Sequence, residues 1–521
     1  MKYGLMVSAA LLVAFGQAQP ASAQSPQDLV KQAVEAQGGA NALRALKTVV
    51  YKVAAKHWEP GQSYSINGES RFLGDSALTI SVDYGTNPAR VRYDWDRDMK
   101  YPAVEKVKYS EIRYPTYGAV IDEKGQVTPM SAIRLAANMR ESVRGGAGGG
   151  PGMLLRAMDS PQNLAAIEDQ KLGNQTLPAV TYTEGPNKYI IIFDRNTKLP
   201  AAVRTRDEDN IYGDSNYDVV FSDWRTVGGV KIAYERSAQL NGMEVQHISY
   251  REATPNPTLP PTTFAIPDNV KAAAKPPATS NVPYQWVIRR LFLARFTDSD
   301  AVYFPAGGSF KLVELGPNVQ MVQGGGANNL IVNMKDGLVV FDAPTDNGQS
   351  EAVIKLAKDK YPGKAIKYLV LTHHHMDHTG GMRAFAAEGA TVIVPSPDKA
   401  YFEHVVKAPH SLEPDAQQKA MKAANVQEVK DQLSIKDDTE EITLYNIPNP
   451  HVDGMIIGHV AKANVLWVTD LISPRGPIGR NEQTVAVGDA LRKHNIIGAT
   501  IAGGHGTTAK QADIASALAA N

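Results

Sequence analysis

The chain contains no cysteine among its 521 residues. That excludes disulfides, thiolate metal sites and every cysteine nucleophile. An apolar core or bound metal must then hold the fold together. A net charge is also missing, since 54 basic side chains face 54 acidic ones, and no long basic run occurs. Nucleic acid is therefore not an expected partner. Long apolar runs are absent too. The stretch Leu5 to Phe15, behind Lys2, falls short of the ~20 residues that span a bilayer. It leads to Ala21-Ser22-Ala23, a small-x-small cleavage pattern, so residues 1–23 read as a signal peptide. The mature chain is expected to be periplasmic or secreted and to have no integral membrane span. No cysteine lies near the cleavage point, which excludes lipid attachment there.

The remaining length suggests two or more domains. Leu29, Ala33, Val34 and Ala36 form a helical stripe that ends at Gly38-Gly39. From Thr48 to Ala253 short alternating segments follow one another, among them Ala77 to Asp83, Tyr189 to Asp194 and Val230 to Arg236. Residues 24–253 thus read as a curved antiparallel β domain with a filled core. Arg144 to Gly152, with six glycines, reads as a mobile surface loop. Prolines crowd residues 254–283, which predicts a semi-rigid linker without helix or central strand. A short amphipathic helix, Tyr284 to Phe296, then opens an independently folding second domain, residues 284–521.

Chemistry concentrates in Leu-Val-Leu-Thr-His-His-His-Met-Asp-His-Thr-Gly-Gly, residues 369–381. An apolar strand runs into the pattern H-x-H-x-D-H, and two glycines turn it into a helix from Met382. Imidazole nitrogen and carboxylate oxygen suit borderline divalent metals such as zinc. Alternate residues of an extended loop point the same way, so His373 and His375 can share one metal. Asp377 and His378 can start a second. His374 lies off the pattern and is expected to pack or meet solvent. Further ligand-capable side chains stand at strand ends downstream: His451 after a proline-stiffened turn, Asp470 after Val465 to Val468, and His505 within Ala-Gly-Gly-His-Gly.

With these residues the stretch from about Phe310 to Leu518 resembles the metallo-β-lactamase superfamily. The resemblance implies an αβ/βα sandwich with a metal pair at one edge, so the whole chain is expected to be α+β. It also implies His373, His375 and His451 on one metal, Asp377, His378 and His505 on the other, and Asp470 bridging. Asp342 matches the family's structural aspartate. Two zinc ions per chain are expected, with Asp377 and Asp470 also taking catalytic roles. A bridging aspartate, where one major class of β-lactamases has cysteine, points to hydrolysis of esters, lactones or related acyl bonds in a small-molecule substrate. β-Lactamase or phosphodiesterase activity is the alternative. The opening Ala-Gln-Gly-Gly-Ala-Asn-Ala-Leu-Arg-Ala-Leu-Lys-Thr and the strand rhythm after it loosely resemble periplasmic lipoprotein-sorting carriers, whose fold is an unclosed β-barrel with a covering helix. The rival reading is therefore a binding or sorting protein for an apolar ligand, with a structural metal domain. Arg475, Arg480 and the insertion Tyr401 to His410 are candidates for substrate contact, with His404 and His410 expected at its surface. Asn329 is expected to border the cleft.

Overall fold

The computed structural model describes residues 24–86, 89–278, 284–289, 309–396, 398–423 and 425–520. The signal-peptide reading of residues 1–23 falls outside them, as does most of the segment expected to continue the helix from Tyr284. No helix among the described residues is long and apolar enough to cross a membrane.

The N-terminal half is built on one antiparallel sheet of thirteen strands. Strand Thr48–Glu59 sits in its middle and alternates between buried and more exposed residues, as a half-buried strand must. It pairs on one side with Arg71–Asp83 and on the other with Met243–Pro255, so the sheet's first and last strands lie together. Neighbouring hairpins extend the sheet outward from this pair, and its two edges, Val127–Pro129 and Leu164–Ala166, do not pair with each other. Helices Pro26–Ala36 and Met153–Asp159 pack Val30, Val34, Leu154 and Leu155 into the core beneath.

The glycine-rich stretch is not a surface loop. Gly148, Gly149 and Gly150 are buried, and a β-carbon on Gly149 would stand 3.0 Å from both Ile232 and the Lys231 carbonyl. The glycines let backbone pack directly on the sheet. The proline-dense segment also departs from expectation. It contains a short helix, Asp268–Ala273, and buries Phe264, Ile266 and Val270 against Ile112 and Ala119. Spaced apolar residues override the prolines around them.

Residues 311–510 form two further sheets. One has seven strands, Lys311–Gly316 to Val426–Val429, antiparallel in its first half and parallel in its second. The other has six, Gln432–Lys436 to Thr508–Lys510. Phe341, Val370, Leu444, Ile456 and Trp467 fill the space between them. Helices Asn347–Lys360 and Met382–Glu388 cover one outer face through Val353, Ala357 and Phe385. Glu482–Lys493 and Gln511–Ala519 cover the other through Val487, Leu491 and Ile514.

Helix Tyr284–Arg289 is wedged between the two halves. Trp286 is fully buried and donates its indole N–H to Asp209 at 2.8 Å. Arg289 is buried between Glu59 and Asp209 and bonds to both carboxylates. A single apolar cluster runs from Tyr217 and Leu240 of the first sheet, through Trp286, to Met376 and Phe402. The two halves share a core.

Candidate metal centre

Asp342 ends strand Gly337–Phe341 with φ +60°, and Asp470 follows Val465–Val468 with φ +49°. Aspartate tolerates this left-handed conformation better than most residues, and each turn directs a carboxylate inward. Asp342 Oδ1 accepts from the amide and hydroxyl of Thr372 at 2.9 and 2.8 Å, while its Oδ2 accepts from the Trp467 indole at 3.2 Å. It anchors the start of the histidine stretch to both sheets. The end of that stretch is not an open loop. Met376–Thr379 forms one helical turn, which carries Asp377 and His378.

All seven residues singled out as metal ligands converge. His373, His375, His451 and Asp470 form one cluster of possible ligand atoms, and Asp377, His378, His505 and Asp470 a second. Asp470 divides its oxygens between them. Oδ2 lies 3.2 Å from His373 Nε2 and 3.1 Å from His451 Nε2, whereas Oδ1 lies 3.2 Å from His378 Nε2 and 2.9 Å from His505 Nε2. Asp377 Oδ2 stands 3.5 Å from His505 Nε2 and 3.6 Å from His378 Nε2. The approach of His505 depends on the glycines before it: a β-carbon on Gly504 would sit 2.1 Å from the Thr469 hydroxyl.

The two clusters differ electrostatically. Burial pushes His373 down to about 4 and His375 well below its usual range, so both imidazoles are neutral. Around the second cluster burial acts in the same direction, but the carboxylates overcome it. Asp470 and Asp377 hold His505 at about 9 and push His378 well up. The same histidines hold both aspartates well below the carboxylate range, against their burial. A field that draws protons onto two buried imidazoles equally favours a divalent cation. The donor set fits two such ions: the first cluster offers three imidazoles, the second two imidazoles and a carboxylate, and Asp470 gives each one oxygen. His373 Nε2, buried with no hydrogen-bond partner, faces into the first cluster.

The N-terminal sheet supplies one wall of this centre, through residues the sequence did not single out. Beyond strand Thr48–Glu59 a short turn, Pro60–Gln62, reaches the histidine stretch. Gln62 Nε2 donates to Asp377 Oδ1 at 2.5 Å, and the Tyr101 hydroxyl donates to Gln62 Oε1 at 2.6 Å, which fixes the direction of the amide. The Ser63 carbonyl accepts from His374 Nε2 and His375 Nε2, each at 2.9 Å. A carbonyl can only accept, so His375 carries its proton on Nε2 and turns a bare Nδ1 towards His451, 3.0 Å away. Arg71 donates to the carbonyls of Gln62 and His451 at 2.7 and 3.1 Å. A β-carbon on Gly61 would meet the Met376 sulfur at 2.6 Å, so glycine permits the approach. The only sequence signal here was a Pro-Gly turn.

Other candidates lie elsewhere. His374 is buried and packs as expected. Asn329 does not border the cleft; it is buried and donates to the carbonyls of Phe341 and Asp342 behind the centre. His404 is exposed, but His410 is buried between Glu208 and Asp415 at the junction with the first sheet. Arg480 donates to the Leu518 carbonyl at the end of the last helix, and Arg475 is exposed.

Residues 322–518 match the family model described as the metallo-beta-lactamase superfamily. This stretch is thus similar to that superfamily. No curated protein matches the chain. Similar solved structures include a metallo-beta-lactamase from Pontibacter korlensis, 16% identical over 41% of this chain and 100% of that one, TM-score 0.31. The FIM-1 metallo-beta-lactamase from Pseudomonas aeruginosa, in a mono-zinc form, is 18% identical over 42% and 96%, TM-score 0.33. A stereoselective inverting sec-alkylsulfatase from Pseudomonas sp. is 20% identical over 40% of this chain, which spans only 41% of that enzyme, TM-score 0.31.

Proposed function

We propose that the chain is an exported hydrolase that holds two zinc ions and cleaves ester, lactone or related acyl bonds. The observation that carries this reading is Asp470, with one carboxylate oxygen in each histidine cluster. A divalent pair supplies Lewis acidity and an acidified water near neutral pH. The protein's own part is positional. Asp470 keeps the two clusters at a fixed spacing. Asp377, its Oδ1 held by Gln62, turns Oδ2 to the second cluster and helps orient the attacking water. His375, whose Nε2–H donates to the Ser63 carbonyl, keeps Nδ1 available to ligate metal. The turn Pro60–Gln62 and Met376 exclude bulk water from that side.

Two features favour uncharged acyl substrates over phosphodiesters. Arg480 turns Nη1 to the Leu518 carbonyl at a helix end, and Arg71 gives Nε and Nη2 to backbone carbonyls. Export is supported by the leader-like residues 1–23. The test pairs metal counting with a panel of lactone, ester, thioester, β-lactam and phosphodiester substrates. Two zinc ions per chain are expected, with the fastest turnover on a lactone or ester. Asp470→Ala should lose metal and lower turnover by orders of magnitude. Full activity with one ion, or wild-type turnover in Asp470→Ala, refutes the two-metal reading.

A further inference from the structure

The concave face of the N-terminal sheet was expected to close on a filled core. Instead it surrounds a cavity of ≈ 190 Å³ with an open mouth. Its walls come from the central strands of the sheet and from helix Ala132–Gly145 with the glycine-rich turn after it. None of the seven metal-cluster residues lines it. The lining is mainly apolar, with Leu78, Ile80, Val82, Val91, Val219 and Ile248 on the strands.

The charges in this wall do not balance. Glu111 is paired with buried Arg134, Glu141 with Arg144, and Arg156 with Glu184. Two guanidiniums remain. Arg113 is 1% exposed, and no carboxylate lies within ion-pair distance of it among the described residues. Its Nη2 donates to the Ser142 hydroxyl at 2.9 Å, while Nε and Nη1 have no hydrogen-bond partner. Arg236 gives Nη1 and Nη2 to the carbonyls of Gly145 and Gly148 and leaves Nε unpartnered. Its guanidinium lies over the Tyr250 ring, 4.3 Å from the centroid, and it too has no carboxylate partner among the described residues. Burial keeps the neighbouring phenols neutral, Tyr84 being pushed up to about 12, so they cannot act as counter-ions. A poorly solvated cation without a carboxylate partner is costly; Arg113 is buried and Arg236 half-buried, and together in an apolar chamber they make a site for an anion attached to something greasy.

We propose that this cavity binds a single-chain anionic amphiphile, its hydrocarbon along Leu78, Val91 and Ile248 and its head between Arg113 and Arg236. A fatty carboxylate and an alkyl sulfate share this chemistry. The proposal is independent of the hydrolytic reading, because no metal-cluster residue contributes.

The test uses the full-length protein and the fluorescent fatty acid cis-parinarate. Saturable binding is expected, displaced by both oleate and dodecyl sulfate, and weaker by at least about tenfold for the corresponding alcohol, since charge-assisted hydrogen bonds are the stronger ones. Ile248→Trp should fill the cavity and abolish binding. Arg236→Gln should bring the carboxylate's affinity close to the alcohol's. The alcohol comparison on unaltered protein keeps the test valid even if an arginine variant fails to fold. Absence of saturable binding overturns the proposal. So does equal affinity for acid and alcohol, or binding that persists unchanged in folded Ile248→Trp.

Discussion

Gln62 offers a direct test of how the first sheet acts on the metal centre. Its side-chain amide reaches Asp377 across 315 positions of sequence, at 2.5 Å, and is itself aimed by Tyr101. Replacing it by methionine keeps the volume and removes the donor. A hydrogen bond to a charged group contributes ~1.5–3 kcal/mol, and loss of an outer partner of a metal ligand typically costs about 10–100-fold in affinity. The two ranges overlap, so Gln62→Met should weaken zinc binding at the Asp377 cluster by about 10–100-fold. The other cluster should change far less, because the Ser63 carbonyl still fixes His375. Competition against a chromogenic chelator resolves the two affinities, and melting of the metal-free protein checks that the turn stays folded. If both affinities remain within about twofold of wild type, Gln62 does not orient Asp377, and the wall is only packing.

Arg289→Met strands the Glu59 and Asp209 carboxylates in the junction, and removing one partner of a buried ion pair costs about 3–5 kcal/mol; urea unfolding should show that loss, and a shift below 1 kcal/mol would refute it. His374→Ala should leave zinc content unchanged but lower the melting temperature, since the side chain packs at the junction and bonds Ser63 rather than metal; loss of an ion in this variant would contradict the ligand assignment. Asp398 is buried, and its carboxyl is pushed up to about 8, first by burial and then by Asp453. The folded protein retains a proton that the unfolded chain releases near pH ~4, so this stability is complete below ~4 and is lost as pH rises to ~8. Asp398→Asn should flatten the slope, and an unchanged pH profile of unfolding would sink this account.

The C-terminal sandwich was legible because its strands are short continuous apolar runs ended by turn residues. Val465–Val468 and the helix that starts at Met382 fall where the pattern predicts them. The seven clustered side chains were legible for a different reason: each stands at a strand end or beside a glycine turn. Partnership across the chain was not legible. Gln62 and Ser63 lie in an ordinary turn, and nothing local in the sequence encodes which surface that turn meets. His410 belonged to a polar insertion and so read as surface, although Glu208 of the other half covers it. The glycine-rich stretch failed for a related reason. Absent side chains signal flexibility in a free chain and close contact in a packed one, and only the neighbouring strand decides between them. The junction at Tyr284–Arg289 was not legible either, because an amphipathic helix there has apolar partners on both sides.

The turn after Glu59 also makes the candidate metal centre a product of both halves. Gln62 and the Ser63 carbonyl reach Asp377, His374 and His375 from the far end of the chain. The second half on its own would present these side chains with one wall missing, so the histidine stretch alone does not specify the centre's surroundings.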